Sequence, residues 1–245
     1  MFEFVHAATR IDVLSIDVSE AEHGLSMIDP TTGRTVIAVA TTPHPMRQRS
    51  SIAHELGHVV AGDLDSETPL VPGDRSSAEI CADAFARHLL LPLEAVHRRL
   101  PPGGASVSLY DLSALVQEFE VSPALAAIQV RTTGRIDAET CAEWSKHSAA
   151  HLATTFGWLS QYRSLASDSA IPRAPQSLMI RAVDGYQRRV LGIAELAAWY
   201  GQEPEVLEEE LGLPQQAEDT DEWVDEWDED APLFPGSASE GETAS

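Results

Sequence analysis

The sequence has little cysteine, a single lysine and no long apolar run, and each shortage excludes a class of protein. The two cysteines, Cys81 and Cys141, are too few for a disulfide framework, which favours a reducing compartment. Apolar runs stay shorter than the ~18–20 residues of a membrane span, and the start of the chain lacks the basic-then-apolar order of a signal peptide. We therefore expect a cytoplasmic protein without a membrane segment.

Basic charge is also scarce, and it is unevenly distributed. The formal net charge is −23 at pH 7, but residues 190–245 alone contain 17 Asp or Glu and no Lys or Arg. The preceding 189 residues contain 22 acidic and 16 basic side chains, without a basic patch that resembles a nucleic-acid footprint. Direct nucleic-acid binding is therefore not expected. Residues 214–245 are acidic and contain Pro, Gly and Ser, which predicts a disordered tail.

The most informative stretch is His54-Glu55-Leu56-Gly57-His58, which predicts a metal site. On a helix, His54 and His58 lie one turn apart on one face, at the spacing that two imidazoles need to bind one ion. A hydrolytic zinc site takes three protein ligands, so a carboxylate from a second helix would complete the set, and Glu55 would act on the water. Apolar side chains away from the histidine face indicate a helix seated on a core: Ile52, Leu56, Val59 and Val60. For this motif alone, a surface accident remains the alternative.

A second helical stretch, residues 78–92, offers the carboxylates. Its core-facing stripe consists of Ala82, Phe85, Ala86, Leu89 and Leu90. Glu79 lies at the edge of that stripe, where an unpaired carboxylate would be costly to bury. Asp83, one turn later, faces nearly the same way and could accept the spare N–H of a ligand histidine. The alternative is that both acids belong to an ordinary solvated helix edge.

The two stretches carry a family resemblance. Residues 53–58 read AHELGH, and residues 79–92 read EICADAFARHLLLP. They resemble the ImmA/IrrE family of zinc metallo-endopeptidases, whose pattern E-x-x-A-N/D-x-F-A-x-x-L-L-x-P is matched at every fixed position. A metzincin pattern fails, because it requires Gly and a third His where this chain has Ala61 and Leu64.

The resemblance implies a gluzincin-like site and a biological role. It makes His54, His58 and Glu79 the zinc ligands and Glu55 the catalytic base, with Asp83 behind a ligand histidine. The implied substrate is a protein, a helix-turn-helix (XRE-type) repressor, whose cleavage would derepress a phage, mobile-element or stress regulon. One alternative is a regulatory protein that sequesters a repressor without proteolysis. Another, a DNA-binding regulator, would require a basic face that the sequence lacks.

The predicted fold class is α+β. Residues 1–104 would form a zincin-like domain with a small antiparallel sheet, because residues 25–40 read as a β-hairpin. In zinc peptidases of this general type a strand commonly borders the cleft, so the hairpin could accept a peptide as an added strand. The alternative is a sheet that only covers the core. Residues 105–213 would form a helical region with helix-turn-helix-like hairpins, followed by the acidic tail. The residue that stabilises the oxyanion is left open, with Tyr110 and His88 among the candidates.

Overall fold

The computed structural model of the chain describes residues 1–18, 24–30, 33–64, 76–102 and 104–214. The strands are β1 (Asp12–Ile16), β2 (Gly24–Ile28) and β3 (Thr35–Ala40). The helices are α1 (Phe2–Thr9), α2 (Pro45–Ala61), α3 (Ser77–Leu90), α4 (Leu93–Arg99), α5 (Leu109–Phe119), α6 (Pro123–Thr132), α7 (Ala138–Trp144), α8 (Ala149–Thr155), α9 (Leu159–Ser169), α10 (Gln176–Gln187), α11 (Ile193–Tyr200) and α12 (Pro204–Leu211). The fold class is α+β, as predicted. Helices long and apolar enough to cross a membrane are absent from the described ranges. Apart from Pro214, the predicted tail lies outside them.

The small sheet is mixed, which corrects the prediction of an antiparallel sheet. Its strand order is β1-β3-β2, with β2 antiparallel and β1 parallel to the central strand. The sequence of β3, TVIAVA, is apolar on both faces, which suits a strand with neighbours on both sides. The turn between β2 and β3 predicts only that these two strands are antiparallel. No local pattern in β1 predicts whether it runs parallel or antiparallel to β3.

A distant segment, residues 169–173, closes the outer edge of β1. Ser15 exchanges two backbone hydrogen bonds with Arg173, both of 2.9 Å. At the start of the segment, the buried Ser169 hydroxyl donates to the carbonyl oxygen of Thr42 over 2.7 Å. The outward backbone N–H and carbonyl oxygen of Ser15 are therefore satisfied by protein rather than by water.

Helix α2 is the central element of the larger compact unit. Pro45 occupies its first turn, and the helix ends at Gly62, whose φ of 70° is left-handed and favours glycine. Ile52 and Leu56 are buried with residues of the sheet, as predicted, but Val60 is exposed because it belongs to the last turn. The Gln48 side chain donates to the carbonyl oxygens of Ala40 and Ser169, which fixes the start of the helix to the closed edge of the sheet.

Helix α3 packs closely against α2, and glycine permits the approach. A Cβ atom at Gly57 would lie 3.0 Å from the Cα of Ala82, so a larger residue would push the helices apart. The Ser76 side chain caps α3 by accepting a hydrogen bond from the backbone N–H of Glu79, which places Glu79 in the first turn. The spacing between α2 and α3 therefore sets how closely Glu79 approaches the histidines.

The helical region begins with α5 and α6, which form the predicted hairpin. Ser108 and Asp111 form a capping box at the start of α5, and the Ser122 side chain caps α6. Arg49 of α2 donates from Nε to the carbonyl oxygen of Glu120, just past α5, and its Nη1 lies 3.0 Å from the Glu120 carboxylate. This contact joins the metal-site helix to the helical region.

The chain forms two compact units, Met1–Val183 and Asp184–Ser245. In the second unit, α11 and α12 form the second predicted hairpin, with Leu196 and Leu207 buried. The Tyr186 hydroxyl donates to the carbonyl oxygen of Gly212 over 3.0 Å and holds the end of this unit in place. The division of the chain into domains at residues 104 and 213 stays a prediction.

Candidate metal centre

Three predicted ligand side chains meet between α2 and α3. The Nε2 atoms of His54 and His58 lie 3.1 Å apart. Glu79 brings Oε2 to 3.3 Å from Nε2 of His54 and Oε1 to 3.2 Å from Nε2 of His58. The two nitrogens and the carboxylate thus converge on one point, and they are the group that could hold a metal ion among the described residues.

The spacing of these atoms fits a small tetrahedral ion. Donors that lie ~2.0–2.2 Å from such an ion are roughly 3.3–3.5 Å apart, close to the distances found here. Two imidazole nitrogens and one carboxylate oxygen form a ligand set that catalytic zinc sites use, with one position left for water. The Glu79 side chain is 39% exposed, so the point of convergence is accessible from solvent.

Each histidine has a carboxylate behind it. Nδ1 of His54 lies 2.8 Å from Oδ1 of Asp83, the partner that the sequence predicted. Nδ1 of His58 lies 2.9 Å from Oδ1 of Asp63, which the sequence analysis missed. An ionised carboxylate only accepts hydrogen bonds, so each Nδ1 carries the proton and each Nε2 presents its lone pair to the shared point.

Asp63 reaches His58 because of how α2 ends. The N–H of Gly62 bonds back to the carbonyl oxygens of His58 and Val59, and the left-handed turn at Gly62 reverses the chain. Asp63 therefore returns over the last helical turn, five residues after its partner. The signal available in the sequence was an Asp directly after a helix-ending glycine, one turn beyond the second histidine.

Glu55 lies on the other side of the histidines, against strand β2. The Ser26 hydroxyl donates to Oε2 of Glu55 over 2.7 Å. Gly24 also approaches this side chain, because a Cβ atom built there would be 2.9 Å from both Cγ and Oε1 of Glu55. Both residues point from the sheet toward α2, so the strand forms one wall beside the carboxylate. Neither residue had been predicted to take part in the site.

The two candidates for oxyanion stabilisation do not belong to the three-residue cluster. Tyr110 is 63% exposed and packs edge-on against Phe156, with ring centroids 5.7 Å apart. It lines a separate cavity together with residues such as Arg99 and Gln117. His88 is exposed near the end of α3. The arrangement of the site therefore gives no support to either residue as a catalytic group.

The charge of the site favours a cation. Three carboxylates, those of Asp63, Glu79 and Asp83, contact the two imidazoles. The side chains of His58, Asp63 and Asp83 are 14%, 20% and 33% exposed. Partial burial lowers the local dielectric, which strengthens the attraction between the carboxylates and a bound cation. Chemically, the site combines a cation-binding point with Glu55, a half-buried carboxylate held beside a strand.

Comparison with known proteins agrees with this geometry. The family model of the IrrE N-terminal-like domain, Peptidase_M78, matches residues 8–131, just over half of the chain. The match includes the sheet, both helices of the metal site and the first helical hairpin. No curated protein matches the chain significantly.

Proposed function

The chain belongs to the Peptidase_M78 family, and we propose on that premise that it is a zinc-dependent endopeptidase with His54, His58 and Glu79 as its metal ligands. The observation that carries the proposal is the convergence of three ligand side chains, in which the two Nε2 atoms lie 3.1 Å apart and each lies 3.2–3.3 Å from one oxygen of Glu79. A carboxylate behind each imidazole supports it, because this arrangement fixes the tautomer that binds metal.

In the proposed mechanism, His54, His58 and Glu79 would hold zinc, which would lower the pKa of a water toward neutrality and would polarise the scissile carbonyl group. Glu55 takes the proton of the attacking water and then passes it to the leaving amine, first as general base and then as general acid. Asp63 and Asp83 hold the imidazole rings in orientation. The hydrogen bond from Ser26 holds the Glu55 carboxylate in one orientation and leaves it lone pairs with which to accept the proton.

The substrate in this proposal is an extended segment of a protein. Within the described ranges, β2 pairs only with β3, so its outer backbone groups are available to add a peptide strand. Leu25 and Met27 are 60% and 49% exposed on the same strand, which favours apolar side chains in the peptide. The strand thus offers backbone pairing beside Glu55, while its exposed apolar side chains lie on the opposite face, because successive residues of a strand point to opposite sides.

We further propose that the substrate is a helix-turn-helix repressor in the cytoplasm, and that its cleavage derepresses a phage, mobile-element or stress regulon. Recognition of one partner needs more surface than a strand edge supplies. In the second compact unit, the α11–α12 hairpin exposes apolar side chains, with Trp199 45% and Val206 48% exposed. These residues are candidates for the surface that contacts the repressor.

The test measures zinc content and repressor cleavage for the wild type and for His58→Ala. We expect about one zinc per chain in the wild type, cleavage of the helix-turn-helix repressor encoded beside it, and loss of both in His58→Ala. His97→Ala is the matched control, because His97 is an exposed histidine of α4 outside the cluster. Equal zinc content in wild type and His58→Ala would contradict the ligand set. A repressor bound tightly but left intact would favour the alternative of sequestration without proteolysis.

A further inference from the structure

We infer that Ser26 is a positioning residue for Glu55, so that the strand proposed to receive the peptide also fixes the carboxylate that moves the proton. The inference rests on the proposed function, because it assigns a task to the same carboxylate. It is carried by the 2.7 Å hydrogen bond from the Ser26 hydroxyl to Oε2 of Glu55 and by the missing side chain at Gly24.

The hydrogen bond selects one orientation of a flexible side chain. A glutamate has three rotatable side-chain bonds, and holding it in one rotamer costs conformational entropy that a specific contact must offset. Ser26 holds Oε2 of Glu55 by one hydrogen bond, and the carboxylate keeps further lone pairs with which to accept a substrate-side proton. Misplacing a reacting group by about 1 Å can cost roughly 100-fold in rate, so this orientation matters to turnover.

Gly24 contributes space rather than a bond. A Cβ atom there would lie 2.9 Å from Cγ and Oε1 of Glu55, closer than real Cβ contacts come. An alanine would therefore displace the carboxylate while leaving the Ser26 hydroxyl in place. Gly24 and Ser26 are two residues apart and share one face of β2, so one strand acts on Glu55 in two independent ways.

Strand β2 is held in place by its pairing with β3. Ser26 pairs with Ile37 and Gly24 with Val39, and both partners on β3 are buried. Its register is therefore fixed by the core, because a slip of one residue would turn the opposite face toward α2. Peptide and proton acceptor are then positioned by the same rigid element. Loss of the Ser26 hydroxyl should consequently lower kcat and leave KM unchanged.

The first arm of the experiment compares kcat and KM for zinc-loaded Ser26→Ala, Ser26→Thr and Gly24→Ala, with the cognate repressor as substrate. We expect kcat to fall about 10- to 100-fold in Ser26→Ala and at least as far in Gly24→Ala, with zinc content unchanged. Ser26→Thr keeps a hydroxyl and should recover most of the rate. Ser169→Ala is the matched control, because it also removes a 2.7 Å serine hydrogen bond, at the opposite edge of the sheet, and should keep the wild-type kcat.

The second arm needs no substrate. Unfolding of wild type, Ser26→Ala, Glu55→Ala and the double variant forms a double-mutant cycle, and we expect the coupling to change the unfolding equilibrium constant about fivefold. Additive effects in this cycle would overturn the inference whether or not the protein hydrolyses anything. Wild-type kcat in Ser26→Ala would overturn the inference and leave the proposed function standing. If Ser26 and Glu55 are coupled in the cycle but the wild-type protein cleaves no repressor, the proposed function is wrong. The catalytic role of Ser26 is then wrong too.

Discussion

The two outer strands of the sheet have different surroundings. The outer edge of β1 is closed by residues 169–173, which supply two backbone hydrogen bonds to Ser15 and a buried hydroxyl from Ser169. Among the described residues, β2 pairs only with β3, and its inner face contacts Glu55 through Ser26. The same three strands thus have one outer edge that a distant segment pairs at Ser15 and one outer strand that contacts Glu55.

This difference separates stability from chemistry within a single sheet. Ser15 and Ser169 are 3% and 5% exposed, so their hydrogen bonds replace water in the interior. Ser26 and Glu55 are half-buried, and their contact orients a group that we propose to react. Substitutions at the closed edge should therefore lower the free energy of unfolding, and substitutions at the open edge should lower turnover.

The largest expected effect is on kcat and concerns Glu55, which contacts the outer strand β2. Glu55→Gln should lower kcat about 10²- to 10⁴-fold, because the amide cannot accept the proton of the attacking water. The fold and the zinc content should stay as in the wild type, since the amide oxygen can still accept the hydrogen bond from Ser26. Repressor cleavage, metal analysis and thermal unfolding of the same preparation check this. Wild-type turnover in Glu55→Gln would show that Glu55 is not the base. The contrast between a structural edge at β1 and a chemical role at β2 would then be wrong.

A smaller effect is expected for the two aspartates that contact the histidines, which lie on neither outer strand. Asp63→Ala and Asp83→Ala should each weaken zinc binding about 10- to 100-fold, because each removes the carboxylate that orients one imidazole. Competition with a chelator of known affinity measures the change. Asp137→Ala is the control, because its carboxylate caps α7 rather than a ligand. Unchanged zinc affinity in Asp63→Ala would show that the turn at Gly62 brings Asp63 near His58 without functional effect.

The smallest expected effect lies at the closed edge. Ser169→Ala should lower the free energy of unfolding by about 1 kcal/mol, because the buried carbonyl oxygen of Thr42 loses its donor. Urea unfolding measures this value, and kcat per folded molecule should not change. A marked loss of kcat in a folded Ser169→Ala protein would mean that the two edges are coupled and that their separation is wrong.

The sequence predicted the parts of the site that depend on helical period. His54, His58, Glu79 and Asp83 fall on facing helical surfaces, and the structure brings all four side chains together. The α+β class was also predictable, because the hairpin and the two helices have local signals. Asp63 was missed although its contact with His58 is local, because the glycine that ends the helix in a left-handed turn brings the next residue back over the last turn.

Local sequence patterns could not predict the contacts of β2 with Glu55 or the pairing of β1 with residues 169–173. The approach of Gly24 and Ser26 to Glu55 depends on how the sheet stacks on α2, which no periodicity encodes. The pairing of Ser15 with Arg173 joins two segments that have no complementary pattern in the sequence. The parallel direction of β1 has the same origin, because strand direction follows from the path of the chain and not from its apolar residues.

The closing segment also has a consequence for synthesis on the ribosome. The Ser15 hydroxyl bonds the carbonyl oxygen of Ile171, 156 positions later in the chain. At ~5–20 residues per second, about 8 to 30 seconds pass between the emergence of these two partners, and β1 has an unpaired outer edge throughout. Unpaired edges recruit other strands, so this interval exposes the nascent chain to misassembly. A recombinant fragment that stops at residue 131, where the family match ends, keeps the proposed metal ligands but lacks residues 169–173. The outer edge of its β1 strand therefore stays unpaired.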